Sequence, residues 1–273
     1  MTWTLEKSLG AGVVRFFDAL EKGRSEDIAA LASAFSPSDR NEVTNTRGFR
    51  PLEVAVERSD ETMFKALIAA GFDPSVRQVN ADPLLMFAHT PQMLEIIVAS
   101  GCDIDEKVVS RYDSTALHYF CASGSPLMAK KLIELGADVD ARNLYNQTPL
   151  HVAADYVKLK SVALLLASGA DASALDDRGN TPLHLAVKKA ADVKARFEHA
   201  NEVVKCLLDV GGVGLKQKNG DGKSLLQLAG RNDELKEILN SYGRSVLAKR
   251  ELGGVLDEIQ VNAAPRRSSG LSL

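Results

Sequence analysis

Aromatic residues are scarce in this chain. One Trp, five Tyr and nine Phe in 273 residues are too few for a single deep core or a roomy ligand cavity, since both draw heavily on rings. A core of Ala and Leu is expected instead. Cysteine is nearly absent as well. Cys102, Cys121 and Cys206 are odd in number and show no CxxC or Cys/His spacing, which excludes a disulfide framework and a zinc site of the usual spacing. Buried, reduced thiols are expected. Long apolar runs are missing: the densest, Val162 to Ala167, has six residues, against about 18 to 20 for a bilayer span. Met1 to Gly12 lacks a basic region followed by a long apolar one, so no secretory signal is expected. Excess positive charge is lacking too. With 33 Lys and Arg against 36 Asp and Glu, net −3, nothing global attracts phosphate backbones or anionic lipid. A nucleic-acid partner is disfavoured and no membrane insertion is expected. What remains, 45% hydrophobic and 25% charged, is ordinary globular composition, and the expected location is the cytoplasm, with the nucleus also open.

What the chain does have is a period. Thr148-Pro149-Leu150-His151 recurs 33 residues later as Thr181-Pro182-Leu183-His184 and 33 earlier as Thr115-Ala116-Leu117-His118. Weaker copies stand in register: Asp82-Pro83-Leu84-Leu85, Arg50-Pro51-Leu52-Glu53 and Ser224-Leu225-Leu226-Gln227. A fixed period means one supersecondary unit copied along the chain. Each copy is followed by a glycine, in order Gly71, Gly101, Gly136, Gly169, Gly211 and Gly243, as a helix closed by a left-handed residue requires. Two positions before each motif stand Gly48, Asn80, Asp113, Asn146, Gly179 and Gly222, all tolerant of positive φ in a tight turn. Between these marks the apolar spacing is helical. Leu150, Ala153 and Ala154 share one face, then Val162, Leu165 and Leu166 another.

These residues resemble the ankyrin repeat, a 33-residue unit with Thr-Pro-Leu-His opening its first helix and Gly-Ala-Asp leaving its second. Gly136-Ala137-Asp138 and Gly169-Ala170-Asp171 match that run, and Gly101-Cys102-Asp103 and Gly71-Phe72-Asp73 come near it. The resemblance implies an all-α solenoid of helix pairs with short β-hairpin-like turns. Its units would lie at about 45–78, 79–110, 111–143, 144–176, 177–219 and 220–243. Residues 1–44 are expected to form divergent capping helices, one around Phe16, Phe17 and Leu20 and one around Ile28, Leu31 and Ala32. Residues 244–273 are expected to form a C-terminal helix and a disordered tail, in which Arg266-Arg267-Ser268-Ser269 resembles a basic-directed kinase site.

The motif residues invite chemistry that their spacing denies. His118, His151 and His184 lie one repeat apart, about 10 Å on the helix-packing scale, too far to share an ion whose Zn–N bonds are near 2.0 Å. The resemblance implies instead that they and the motif threonines bond backbone groups. No phosphate-binding GxxxxGK[ST] is present, and Asn219-Gly220-Asp221-Gly222-Lys223 lacks the carboxylate pattern of a calcium loop. A hairpin turn is expected there. No cofactor is implied, and the expectation is a non-catalytic, monomeric protein.

A stack of this kind offers a concave surface of turn tips and first-helix ends. The candidate partner-binding residues are Arg47, Phe49, Arg77, Arg111, Tyr112, Leu144, Tyr145 and Arg178 at the tips, with Asp155, Tyr156, Lys188 and Lys189 at helix ends. Arg and Tyr dominate binding hot spots, so the expected partner is a protein with an acidic and apolar segment. The main departure from the pattern is an insertion at about 188–200, whose Lys188, Lys189, Lys194 and Arg196 would form a basic knob. The implied function is a protein–protein scaffold or adaptor, including the case of a bacterial or viral effector acting on a host protein in its cytoplasm. Two alternatives stand: a toxin or enzyme regulator with its activity or specificity in the non-repeat ends, and nucleic-acid binding through the arginine edge.

Overall fold

A computed structural model of the chain describes residues 3–4, 11–45, 49–76, 82–192, 199–209, 215 and 217–245. The fold is all-α. After α1 (Ala11–Lys22), α2 (Ser25–Leu31) and the short α3 (Pro37–Glu42), helices come in pairs. The pairs are α4 (Pro51–Glu57) with α5 (Glu61–Ala69), α6 (Leu84–Phe87) with α7 (Pro91–Ala99), and α8 (Ala116–Ser123) with α9 (Pro126–Glu134). Then follow α10 (Pro149–Asp155) with α11 (Leu159–Ala167), α12 (Pro182–Ala190) with α13 (Ala200–Asp209), and α14 (Leu225–Leu228) with α15 (233–245). A two-residue antiparallel ladder, β1 (Trp3–Thr4) with β2 (Thr44–Asn45), joins the start of the chain to the entry of the first pair.

Each pair is built from the same local rules. In the fourth unit Pro149 occupies the first helical position, where its missing N–H is no loss. The chain reverses at Val157, whose φ is 55°, and α11 ends before Gly169, with φ 88°. Leu150, Ala153, Ala154, Val162 and Leu165 are fully buried. The small alanines let neighbouring first helices approach closely, so α4, α6, α8, α10, α12 and α14 stack in order, and α7, α9, α11 and α13 form the second layer. The expected positive φ is present at Gly71, Gly101, Gly136 and Gly169 and, in the turns, at Asp113, Asn146, Gly179 and Gly222. Gly48, Asn80 and Gly211 lie outside the described residues, as do Lys194, Arg196 and the tail with Ser268 and Ser269. Two marks correct the sequence reading. Gly243 lies inside α15 rather than ending it, and Pro83 is the N-cap of α6 rather than its first residue.

The N-terminal unit holds much of the scarce aromatic material. Phe16 stacks on Phe72 with ring centroids 5.6 Å apart and meets Phe35 edge-on at 4.8 Å. With α2 packed on α5, these rings seal the first repeat in place of a motif-bearing neighbour. Arg58 donates from Nη1 to the Leu20 carbonyl at 3.0 Å, adding a second donor to the Gly23 N–H that this carbonyl accepts at the end of α1.

The motif histidines tie unit to unit. The Thr148 N–H donates to Nδ1 of His151 at 3.2 Å, and Nε2 of His151 lies 3.0 Å from the Asn180 carbonyl in the next repeat. A carbonyl only accepts, so Nε2 carries the hydrogen and the ring is the neutral Nε2–H tautomer. His118 makes the same bridge from Thr115 to the Gln147 carbonyl, and His184 from Thr181 to that of Gln217, at 3.0 and 3.2 Å. Burial holds all three below the ordinary histidine range, His118 at about 4. Repeat one does without the imidazole. There the Arg50 N–H donates to Glu53 Oε2 at 2.7 Å and Arg50 Nε to Oε1 at 2.9 Å, both side chains being buried.

His151→Ala is therefore expected to lower the unfolding free energy by about 2–4 kcal/mol, because two buried backbone groups lose their partner along with the ring's packing; urea unfolding measures it. A pH dependence follows from the same bridges. Unfolded histidine titrates near about 6.5, so below that pH the unfolded chain takes up protons that the folded chain refuses. Stability is fully present above about pH 6.5 and is lost as pH falls towards the folded value. For His118 that loss is about 3 kcal/mol. A urea midpoint unchanged between about pH 7 and about pH 5 would contradict it.

Candidate interaction surface

The turn tips form a continuous ribbon. Leu144 N–H donates to the Tyr112 carbonyl at 2.7 Å, Asp177 N–H to that of Tyr145 at 3.1 Å, and Gly220 N–H to that of Arg178 at 2.8 Å. Three of these tips are closed from within by a short side chain. Asn143 Oδ1 accepts from the N–H groups of Tyr145 and Gln147, Asp176 Oδ1 from those of Arg178 and Asn180, and Asn219 Oδ1 from that of Lys223. Asn219 also donates from Nδ2 to Asn180 Oδ1 at 3.0 Å, joining two tips by a buried amide pair. A Cβ on Gly220 would stand 2.5 Å from the Arg178 oxygen, so only glycine lets the last tip come this close.

Apolar side chains ride on this ribbon. Tyr112 and Tyr145 are 58% and 46% exposed, yet their ring centroids are only 5.1 Å apart. Leu144 beside them is 59% exposed. Three large exposed apolar groups on adjoining tips make a platform rather than scattered surface residues. Val109 and Leu175 are also exposed tip residues, which reading the sequence alone passed over.

Below the platform opens a cleft of about 470 Å³ between the tips of the fourth to sixth units and the ends of α10 and α12. Five of the sequence candidates line it: Tyr145, Asp155, Arg178, Lys188 and Lys189. Lys189 Nζ pairs with Asp155 Oδ1 at 3.4 Å across the two helices. Asp176, Asp177, Asp192 and Asp221 line it too, with Leu185 on its floor. Of these, Asp221 stands in register with Tyr112 and Tyr145, and Asp177 with Arg111 and Leu144, so the repeat period alone points to both positions. Tyr156 is exposed at the end of α10 but lies outside the lining.

The arginine edge is not a unit. Arg47 and Arg77 lie outside the described residues. Arg111 is held by Asp82, Nε to Oδ1 at 2.7 Å and Nη2 to Oδ2 at 2.6 Å, while its guanidinium carbon sits 5.0 Å from the Tyr119 ring centre. The hydrogen bonds to Asp82 raise its pKa further. Arg142, not a candidate from sequence, spends Nη1 on the carbonyls of Asn146 and Leu175, at 2.7 and 2.8 Å. Arg178 is exposed. Phe49, expected at an open tip, is half-buried and meets Phe87 edge-on at 5.7 Å.

Reactive chemistry finds little footing on this surface. Burial pushes the thiols up, Cys102 to about 11 and Cys121 to about 12, away from the thiolate a nucleophile needs. Among the described residues no group of His, Cys, Asp and Glu is placed to hold a metal ion, and no helix is long and apolar enough to cross a membrane.

Stacked helix pairs, imidazole bridges and a ribbon of tips over a cleft define a repeat protein of the kind used for macromolecular recognition. Residues 84–176 match the ankyrin-repeat family as three copies, and residues 178–219 match it as one more. The chain belongs to that family. Similar proteins include the B-cell lymphoma 3 protein homolog of Mus musculus, 32% identical over 46% of this chain and 28% of that protein. The transient receptor potential cation channel subfamily A member 1 homolog of Caenorhabditis elegans is 31% identical over 47% of this chain and 10% of its own. The E3 ubiquitin-protein ligase Ufd4 of Drosophila melanogaster is 30% identical over 44% and 4% respectively. The matched region thus spans less than a third of these relatives. What is shared is the ankyrin repeat, generally a non-catalytic protein-interaction module.

A double-mutant cycle on Arg111→Ala and Asp82→Ala is expected to return a coupling of about 0.5–1 kcal/mol in thermal or urea unfolding, as for a well-aligned bidentate pair near the surface. Zero coupling would mean that Arg111 is free for a partner after all.

Proposed function

We propose that this protein is a non-catalytic scaffold that holds a partner protein on the concave face of its central repeats, at the platform of Tyr112, Leu144 and Tyr145 and the cleft beneath it. The observation that carries this reading is the pair of exposed tyrosines whose rings meet at a tilt of 42° on hydrogen-bonded tips. Their rings bear on solvent, whereas the backbone under them is fixed by the Leu144 N–H to Tyr112 carbonyl bond. Rigid aromatic anchors bind with little loss of conformational freedom. The raised thiols and buried imidazoles support the absence of catalysis. With Arg111 committed to Asp82 and Tyr119, the nucleic-acid alternative loses one of its phosphate contacts, and the expected acidic partner loses one of its cations. The apolar part of the expected partner is supported by the platform.

Tyr112→Ala combined with Tyr145→Ala is expected to reduce recovery of the natural partner in affinity capture by about tenfold or more, the scale of a hot-spot loss. The melting temperature should stay within about 2 °C, because the two side chains are about half exposed and sit outside the core. Equal recovery by intact and doubly substituted protein would place the partner elsewhere.

A further inference from the structure

The geometry points to an arginine-bearing segment of the partner, with an apolar residue close to the arginine, as the occupant of the cleft beneath the tyrosine platform; this rests on the concave-face reading just given. The cleft is the place where the fold gathers charge. Five aspartates but only three cations line it, although the chain as a whole is close to neutral. One of those cations, Lys189, is already balanced by Asp155 at 3.4 Å. Asp177 and Asp221 are exposed on the tip side of the cleft. A part-enclosed depression lined by an excess of one sign concentrates its field and favours the opposite sign. The complement is therefore a cation.

Three further observations narrow its class. No grouping of metal-ligating side chains occurs among the described residues, so the complement is organic. Tyr145 lines the cleft and is nearly half exposed, and Asp177 follows directly on it in space through the bond from its N–H to the Tyr145 carbonyl. An aromatic face beside a carboxylate suits a guanidinium, which stacks on the ring and donates a planar pair of hydrogen bonds to the carboxylate better than an ammonium does. Finally, the cleft is continuous with the platform through Tyr145 itself, because that ring both lines the cleft and contacts Tyr112. An apolar side chain near the arginine would cover Tyr112 and Leu144. Phosphate-bearing partners meet the wrong sign here. The acidic segment expected from the arginine edge gives way, at this cleft, to a basic one.

The test is selection of a random-peptide display library on the intact chain, followed by fluorescence anisotropy of the enriched peptides. Intact protein is compared with Asp177→Asn/Asp221→Asn and with Tyr112→Ala/Tyr145→Ala. The expected result is a consensus holding Arg next to an apolar residue, with affinity falling about tenfold on loss of the two aspartates and falling further as salt rises. Replacing the peptide's Arg by Glu should abolish binding, and Lys should restore only part of it. Enriched peptides that depend on the tyrosines but lack a basic residue, or that ignore the aspartate substitutions, overturn the arginine assignment and leave the concave-face reading standing. No enriched peptide that depends on the tyrosines overturns both.

Discussion

The stack depends on a neutral imidazole. At every junction of the central repeats two backbone groups are shut away from water: the N–H at the start of a first helix and a carbonyl in the next turn. Either one left alone costs about 1–3 kcal/mol. His118, His151 and His184 resolve both at once, with one ring nitrogen accepting and the other donating. That bridge holds successive turns at a fixed spacing, and the spacing brings one tip's N–H within reach of the previous tip's carbonyl. The ribbon, the tyrosine platform and the cleft all follow from it. A protonated ring would present a hydrogen to the threonine N–H it must accept from, which is why burial and neutrality belong together.

At the ends of the stack other side chains do half of that job, accepting the first-helix N–H alone. Glu53 accepts the N–H of Arg50 in the first repeat, and Gln227 accepts that of Ser224 in the last, at 2.9 Å. A carboxylate can replace imidazole only if its charge is matched, and Arg50 Nε supplies the match within the same four-residue turn. The rings follow a similar division. Phe16, Phe35, Phe64 and Phe72 are buried at the N-terminal end, where one face of a repeat must be closed by a unit that is not a copy of it. Between the motif-bearing copies, alanine, leucine and valine make most of the core, with Phe120 as a buried ring.

Surface chemistry obeys another logic. Arg111 and Arg178 both stand at turn tips, Arg111 four residues before its repeat's motif and Arg178 three, yet one is clamped by Asp82 and laid over Tyr119 while the other is exposed. The difference lies in a residue 29 positions away, at a site where the neighbouring repeat carries no equivalent of threonine. A tip residue's freedom is thus set by the repeat beside it. Exposed carboxylates at tip positions, such as Asp177, take on meaning only when the cleft they line is seen as a volume.

The period, the helix pairs, the turns at Asp113, Asn146, Gly179 and Gly222, and the inward face of each helix were legible in the sequence alone, because each rests on local rules: a capping threonine, a first-turn proline, a left-handed residue, apolar spacing. The separation of the histidines by whole repeats ruled out a shared ion, while their backbone role was implied by the resemblance to the ankyrin repeat. Gly243 misled because a glycine at the right interval does not end a helix unless the chain after it turns, and α15 runs on to residue 245. What only the tertiary structure decided was which charges are spent internally and which face the cleft. Arg111 with Asp82, Lys189 with Asp155, and Tyr112 with Tyr145 are pairs between neighbouring repeats. Such pairs depend on the rise and twist from one repeat to the next, and no local pattern encodes those.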